Sequence, residues 1–108
     1  MKRGERGFPE VVCLCGSTRF KDAWIAYTRK LSLEGSIVLS VGVMIHAGAE
    51  LIRDDGPEKA KLDELHLRKI DLADRVLVLN VGGYIGSSTS REIAYAIREG
   101  KPVHYIEG

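Results

Sequence analysis

The chain contains few cysteines: only Cys13 and Cys15 occur among its 108 residues. On a strand, two residues at this spacing point to the same face. There they form neither a structural disulfide nor, by themselves, a four-ligand zinc site. We therefore expect two buried free thiols and a reducing, cytoplasmic environment.

Long apolar runs are also lacking. The uncharged stretch 36–49 is broken by Gly42 and Gly48 and is shorter than the roughly 20 apolar residues that a membrane span needs. Residues 1–10 are charged and have no apolar centre, so they do not resemble a secretory signal. The sequence predicts neither a membrane span nor a membrane partner.

An excess of charge of either sign is absent as well. Sixteen Lys and Arg residues oppose 15 Asp and Glu residues, which gives a net charge of +1. Such a chain has no general electrostatic attraction for a nucleic acid polymer or an anionic membrane. An anionic ligand must therefore be bound by a local site.

Two common nucleotide-binding motifs do not occur, since the sequence contains neither GxGxxG nor GxxxxGK[ST]. This makes dinucleotide oxidoreductases and P-loop enzymes poor candidates, and we expect no cofactor. The length suits one domain, which we place at 10–108 after a flexible lead-in at 1–9.

Short apolar runs alternate with segments of helical periodicity along the rest of the chain. The runs predict strands at 11–15, 37–41, 76–79 and 101–106. Between them, apolar residues recur at helical spacing at 20–33, at 58–72 and before Gly100. Gly35 and Gly100 are placed to end helices. The β-α-β-α-β-α-β order predicts an α/β fold in which helices cover both faces of a parallel sheet of order 2-1-3-4.

In such a sheet, ligands bind beyond the carboxyl ends of the strands where the strand order reverses, here between strands 1 and 3. The loops at that point, 16–19 and 82–90, are rich in glycine and hydroxyl side chains, with Gly82, Gly83 and Gly86 in the second. This agreement between position and composition predicts the binding site.

The first loop, Gly16-Ser17-Thr18-Arg19, suits an anion. Gly16 allows close approach of the backbone, Ser17 and Thr18 supply hydroxyl groups, and Arg19 can bind a phosphate through two nitrogens. The alternative is that Ser17 is an ordinary helix N-cap and Arg19 is exposed.

Glu92 follows the second loop. Thr89 to Glu92 matches a capping box, in which the Glu92 carboxylate would accept a hydrogen bond from the backbone N–H of the N-cap residue Thr89. The other interpretation is catalytic, because an ionised carboxylate facing the crevice is what a glycosidic nucleophile needs. Spacing alone slightly favours the cap.

The remaining candidates are histidines and one tyrosine. His46 and Tyr84 lie near the predicted crevice and are candidates for contacting a ligand base. His66 lies within the second predicted helix and faces partly inward. His46 and His66 do not by themselves specify a metal site, and we expect no metal ion.

Four blocks of the sequence, taken in order, resemble the nucleoside 2-deoxyribosyltransferase-like superfamily, which includes the 2'-deoxynucleoside 5'-monophosphate N-hydrolases. The blocks are VCLCGSTR (12–19), IDLADRVLVL (70–79), GSSTSREIAYA (86–96) and GKPV (100–103).

This resemblance implies a small flavodoxin- or Rossmann-like three-layer sandwich of four or five strands, usually in a homodimer, that binds a small nucleoside or nucleotide. It also implies that Glu92 attacks the anomeric carbon and forms a glycosyl ester, which water or a second base resolves. Residues 16–19 match the segment that binds the 5'-phosphate or the sugar in the monophosphate hydrolases. Gly86, Ser87 and Ser88 fall in the loop that supplies further phosphate contacts.

One position departs from the family pattern. His66 stands where members often carry an aspartate that helps the base to leave, and it would serve as the acid instead. Because His66 replaces this aspartate, the chain is alternatively a non-catalytic module that binds or senses a nucleotide. A third candidate is a phosphoribohydrolase of the lysine-decarboxylase-like group, whose glycine motif matches Gly82 to Glu92 only loosely.

Overall fold

A parallel sheet lies at the centre of the computed structural model, which describes residues 1–41 and 56–108. Its four strands are β1 (Val11–Cys15), β2 (Ile37–Leu39), β3 (Arg75–Val78) and β4 (Val103–Tyr105). They lie in the order β2-β1-β3-β4, and each neighbouring pair is parallel. The predicted fold class and strand order are confirmed.

Three helices cover the two faces of this sheet. They are α1 (Lys21–Leu33), α2 (Pro57–Leu72) and α3 (Ser87–Arg98). Trp24 and Leu31 of α1 pack on one face, while Ile70 of α2 and Ala96 of α3 pack on the other. The result is the three-layer arrangement that the alternation of strands and helices predicts.

Strand β1 is buried on both sides because its residues alternate between the two cores. Val12 and Leu14 face α1, whereas Val11, Cys13 and Cys15 face α2 and α3. A strand with apolar residues on both faces therefore occupies a central place in the sheet. The two cysteines are buried free thiols on one face, as predicted.

The ends of the outer elements differ from the predictions. Strand β2 ends at Leu39 rather than at residue 41, and β4 contains only three residues. Both are edge strands, which lack a second pairing partner to extend them. Gly35 and Gly100 follow the ends of α1 and α3 with positive φ angles of 96° and 75°, which confirms them as helix stops.

The first residues of the chain also contact the domain. Phe8 packs against the core beneath α2 and α3, and the Arg3 guanidinium donates a hydrogen bond to the carbonyl of Leu72. Within the described part of the chain, the helices are too short or too polar to cross a bilayer.

Candidate functional site

A cavity of about 480 Å³ opens beyond the carboxyl ends of β1 and β3. The residues that line it come from the loop after β1, from one face of α2 and from the start of α3. Ten of the residues predicted from the sequence for catalysis, phosphate binding or base contact are among them: Gly16, Ser17, Thr18, Arg19, His66, Tyr84, Gly86, Ser87, Ser88 and Glu92. The remaining choice, His46, lies outside the described residues.

The turn after β1 is held by backbone interactions. A Cβ added to Gly16 would lie 3.0 Å from Cβ of Leu79 and 3.2 Å from its carbonyl oxygen, so glycine is needed for packing against the end of β3. The Ser17 carbonyl accepts hydrogen bonds from the Phe20 N–H and from the Trp24 indole N–H. These contacts fix the turn at the cavity wall.

The interpretation of Ser17 as a helix N-cap is wrong. Helix α1 begins at Lys21, its N-cap position is Phe20, and no side chain caps it. The Ser17 hydroxyl instead accepts a hydrogen bond from the Arg19 N–H at 3.3 Å. The N–H groups at the start of α1 therefore have no side-chain cap.

Tyr84 joins the two loops at the cavity mouth. The Arg19 guanidinium lies 4.5 Å from the centre of the Tyr84 ring, at cation–π distance. Phe20 packs edge-on against the same ring at 5.8 Å. A Cβ added to Gly86 would lie 3.3 Å from the Tyr84 hydroxyl. The tyrosine thus lies between the two glycine-containing loops and contacts both of them.

Gly82 and Gly83, which were predicted to mark the site, do not line the cavity. They form a short 3₁₀ turn, Val81–Gly83, with φ angles of 63° and 82°. The Gly82 N–H donates to the carboxylate of Glu107 at 2.8 Å. Their role is to turn the chain after β3, because these angles favour glycine.

The predicted capping box at Thr89 to Glu92 is also wrong. Helix α3 begins at Ser87 after an extended Gly86, and the Ser90 N–H bonds to the Gly86 carbonyl at 2.9 Å. Thr89 lies inside the helix, so Glu92 is too far along to bond back to the first N–H groups. The half-buried Glu92 side chain lines the cavity instead.

A cationic network, which sequence reasoning missed, stands beside the start of α3. Lys59 and Arg91 both donate to the Ser88 hydroxyl, at 3.2 and 3.3 Å. Both also pair with Asp63, at 2.5 and 3.6 Å. The spacing of Lys59, Asp63 and His66 along α2 places them on one helical face. This periodicity is the feature of the sequence that predicts their proximity.

His66 contacts both cysteines of β1. Its Nε2 lies 3.6 Å from Sγ of Cys13 and 3.6 Å from Sγ of Cys15, and its N–H donates to the Leu14 carbonyl oxygen at 2.9 Å. The three donor atoms lie within 4.8 Å of one another. The sequence pattern does not predict this group, because the cysteines and His66 lie more than 50 positions apart.

Burial and charge change the proton affinities of this cluster. Burial opposes protonation of His66, but the Cys13 sulfur, the Glu92 charge and the Leu14 carbonyl outweigh it and raise the His66 pKa above 6.5. A hydrogen bond from the Cys15 thiol, together with His66, lowers the pKa of Cys13 to about 6. The pKa of Cys15 is raised by that same bond and by burial. The two shifts favour a Cys13 thiolate beside a protonated His66.

Glu92 completes the cluster. Burial raises the pKa of its carboxyl above 4.5, while the His66 charge and the Cys15 thiol act in the opposite direction. The partly desolvated Glu92 carboxyl group and the His66 imidazole, whose pKa is raised, therefore face one ligand-sized cavity. Chemically, such a pair can supply a nucleophile and a general acid.

Comparison with known proteins does not identify the chain: no model of a known protein family matches it, and no curated protein matches it either.

Proposed function

We propose that the chain cleaves the N-glycosidic bond of a nucleoside 5'-monophosphate, with Glu92 as nucleophile. The main support is one juxtaposition, in which Glu92 and His66 line the same cavity between the two loops that precede α1 and α3. The four sequence blocks that resemble the nucleoside 2-deoxyribosyltransferase-like superfamily agree with it.

The charges around the cavity favour a phosphorylated substrate. Arg19, Lys59, Lys69 and Arg91 line it, against the carboxylates of Asp63 and Glu92. The first N–H groups of α3, at Ser87 and Ser88, add the partial positive charge of a helix start. A nucleotide phosphate would bind at this end and leave the sugar near Glu92.

In the proposed reaction, the Glu92 carboxylate attacks the anomeric carbon while the bond to the base nitrogen breaks. The leaving nitrogen takes the bonding electron pair and receives a proton from His66, whose raised pKa favours the protonated form. Water then hydrolyses the glycosyl ester in a hydrolase, whereas a second base displaces Glu92 in a transferase.

A second candidate is a nucleotide-binding or sensing module without turnover. It is favoured by the engagement of His66 Nε2 with Leu14 and both cysteines, which holds that nitrogen away from a leaving base. In this case the same cavity binds the nucleotide and releases it intact.

The deciding experiment incubates the protein with a panel of ribo- and deoxynucleoside monophosphates and separates any free base by chromatography. We expect base release from at least one of them and a loss of about a thousandfold or more in Glu92→Gln. The matched control is Glu99→Gln, which changes an exposed glutamate at the end of the same helix. Calorimetric binding of a nucleotide that is recovered intact, with no base released, would establish the sensing module instead.

For partners and location, we propose a homodimer in the cytoplasm. A groove between α2 and α3 carries apolar side chains such as Leu67, and Ile97 of α3 is 62% exposed. A second copy would cover such a surface. Sedimentation of the wild type and of Ile97→Glu tests this, because the substitution should produce monomers; a monomeric wild type contradicts it.

A further inference from the structure

The group formed by Cys13, Cys15 and His66 has the composition of a metal site. The two cysteines are two residues apart on β1 and fully buried, and His66 of α2 is 5% exposed. The two thiols lie on one face of the strand, and the imidazole reaches them from the helix that packs on that face. Together they offer three soft or borderline ligands that can bind the same metal ion.

The distances also match a metal site. Zinc bonds sulfur at about 2.3 Å and nitrogen at about 2.0 Å in a tetrahedral arrangement, which separates the two ligand atoms by about 3.6 Å. Nε2 of His66 lies 3.6 Å from each sulfur. All three atoms lie within 4.8 Å of one another, so small movements bring the sulfurs into bonding range.

We propose that Cys13, Cys15 and His66 bind one zinc ion, with its fourth position directed toward the cavity that Glu92 lines. This site does not depend on the proposed function, in which His66 donates a proton only in the metal-free protein.

Charge and access support zinc in particular. Two thiolates neutralise the divalent ion, so the buried site carries no net charge before the fourth ligand binds. Mg²⁺ and Ca²⁺ prefer oxygen ligands and fit this set poorly. His66 and Glu92 line the open cavity, which gives an ion a path to the sulfurs.

Zinc binding has one clear structural consequence. The ion takes the place of the Nε2 proton, so His66 loses its hydrogen bond to the Leu14 carbonyl and the ring turns slightly toward the sulfurs. One hydrogen bond contributes much less than two metal–thiolate bonds, so the exchange favours the ion. Binding then links β1 to α2.

The test is titration of the reduced, metal-free full chain with Co²⁺ in the absence of oxygen. Only two cysteines are present, so any sulfur-to-cobalt charge-transfer absorption must come from them. We expect this absorption, together with tetrahedral visible bands, to saturate at one equivalent and to disappear on addition of Zn²⁺. The absence of thiolate–cobalt absorption in the folded wild type would overturn the proposal.

Variants identify the ligands. Cys13→Ser, Cys15→Ser and His66→Gln should each weaken Co²⁺ binding at least tenfold, whereas His104→Gln should bind as the wild type does. Unchanged affinity in His66→Gln, or equal loss in His104→Gln, would contradict the assignment.

Thermal unfolding of the wild type provides a measurement that requires no variant to fold. One equivalent of Zn²⁺ should raise the Tm, and a chelator should reverse the rise, because zinc binds the folded chain preferentially. An unchanged Tm also counts against the site.

Discussion

Sγ of Cys13 lies 3.6 Å from Nε2 of His66, although the two residues are 53 positions apart in the sequence. This contact joins the central strand to the helix that forms one cavity wall. Through His66, the thiol pair of β1 is also coupled electrostatically to Glu92, because the charges of these groups shift one another's pKa.

The first prediction concerns the ionisation of this thiol. With a chelator present, the thiolate absorbance of the native protein should rise with a midpoint near pH 6. The Cys15 thiol and His66 lower the pKa of Cys13 to about 6, so its proton is lost as the pH rises through that value. Cys13→Ser should remove the transition, and His66→Asn should move it toward higher pH. A midpoint near 9 in the wild type would contradict the assignment.

The second prediction is a bell-shaped pH dependence of base release by the metal-free protein. Burial raises the Glu92 pKa above 4.5, so the rate should fall as the pH drops through that raised value and the nucleophile is protonated. The His66 pKa lies above 6.5, so the rate should also fall as the pH rises through it and the acid loses its proton. In His66→Asn, the rate of base release should no longer fall as the pH rises. If the fall at high pH remains in this variant, His66 is not the acid.

The third prediction concerns packing at the turn after β1. Gly16→Ala should destabilise the fold by about 1–3 kcal/mol, because the new methyl group meets Leu79 Cβ and backbone at 3.0–3.2 Å in a buried region. Urea denaturation measures the change. The matched control is Gly86→Ala, whose methyl group meets only the movable end of Tyr84, at 3.3 Å, and should cost less than about 1 kcal/mol. Equal losses of stability in the two variants would show that the contact with Leu79 does not cause the destabilisation.

The fourth prediction assigns Lys59 to the phosphate. Lys59→Gln should weaken nucleoside monophosphate binding about tenfold and reduce its salt dependence, because a charge-assisted hydrogen bond beside Ser88 is lost. Calorimetry at two salt concentrations provides the measurement. Lys61→Gln, at an exposed position on α2, should bind as the wild type does. If both variants bind equally well, the phosphate lies elsewhere.

The sequence by itself determined the α/β class, the strand order and the two loops that meet at the cavity. These properties depend on local patterns, since buried strands are apolar on both faces and parallel strands require crossover helices. The rule that ligands bind where the strand order reverses then placed the loops 16–19 and 82–90 at one edge without any coordinates, although Gly82 and Gly83 of the second loop do not line the cavity.

The tertiary structure alone decided which side chains share that edge. The rotation of α2 about its axis directs Lys59, Asp63 and His66 toward the cavity, and this rotation depends on how Ile70 packs against the sheet. The start of α3 at Ser87 rather than at residue 90 likewise excluded a capping role for Glu92. Contacts between residues more than 50 positions apart, such as those of His66 with Cys13 and Cys15, follow from packing geometry that no local pattern encodes.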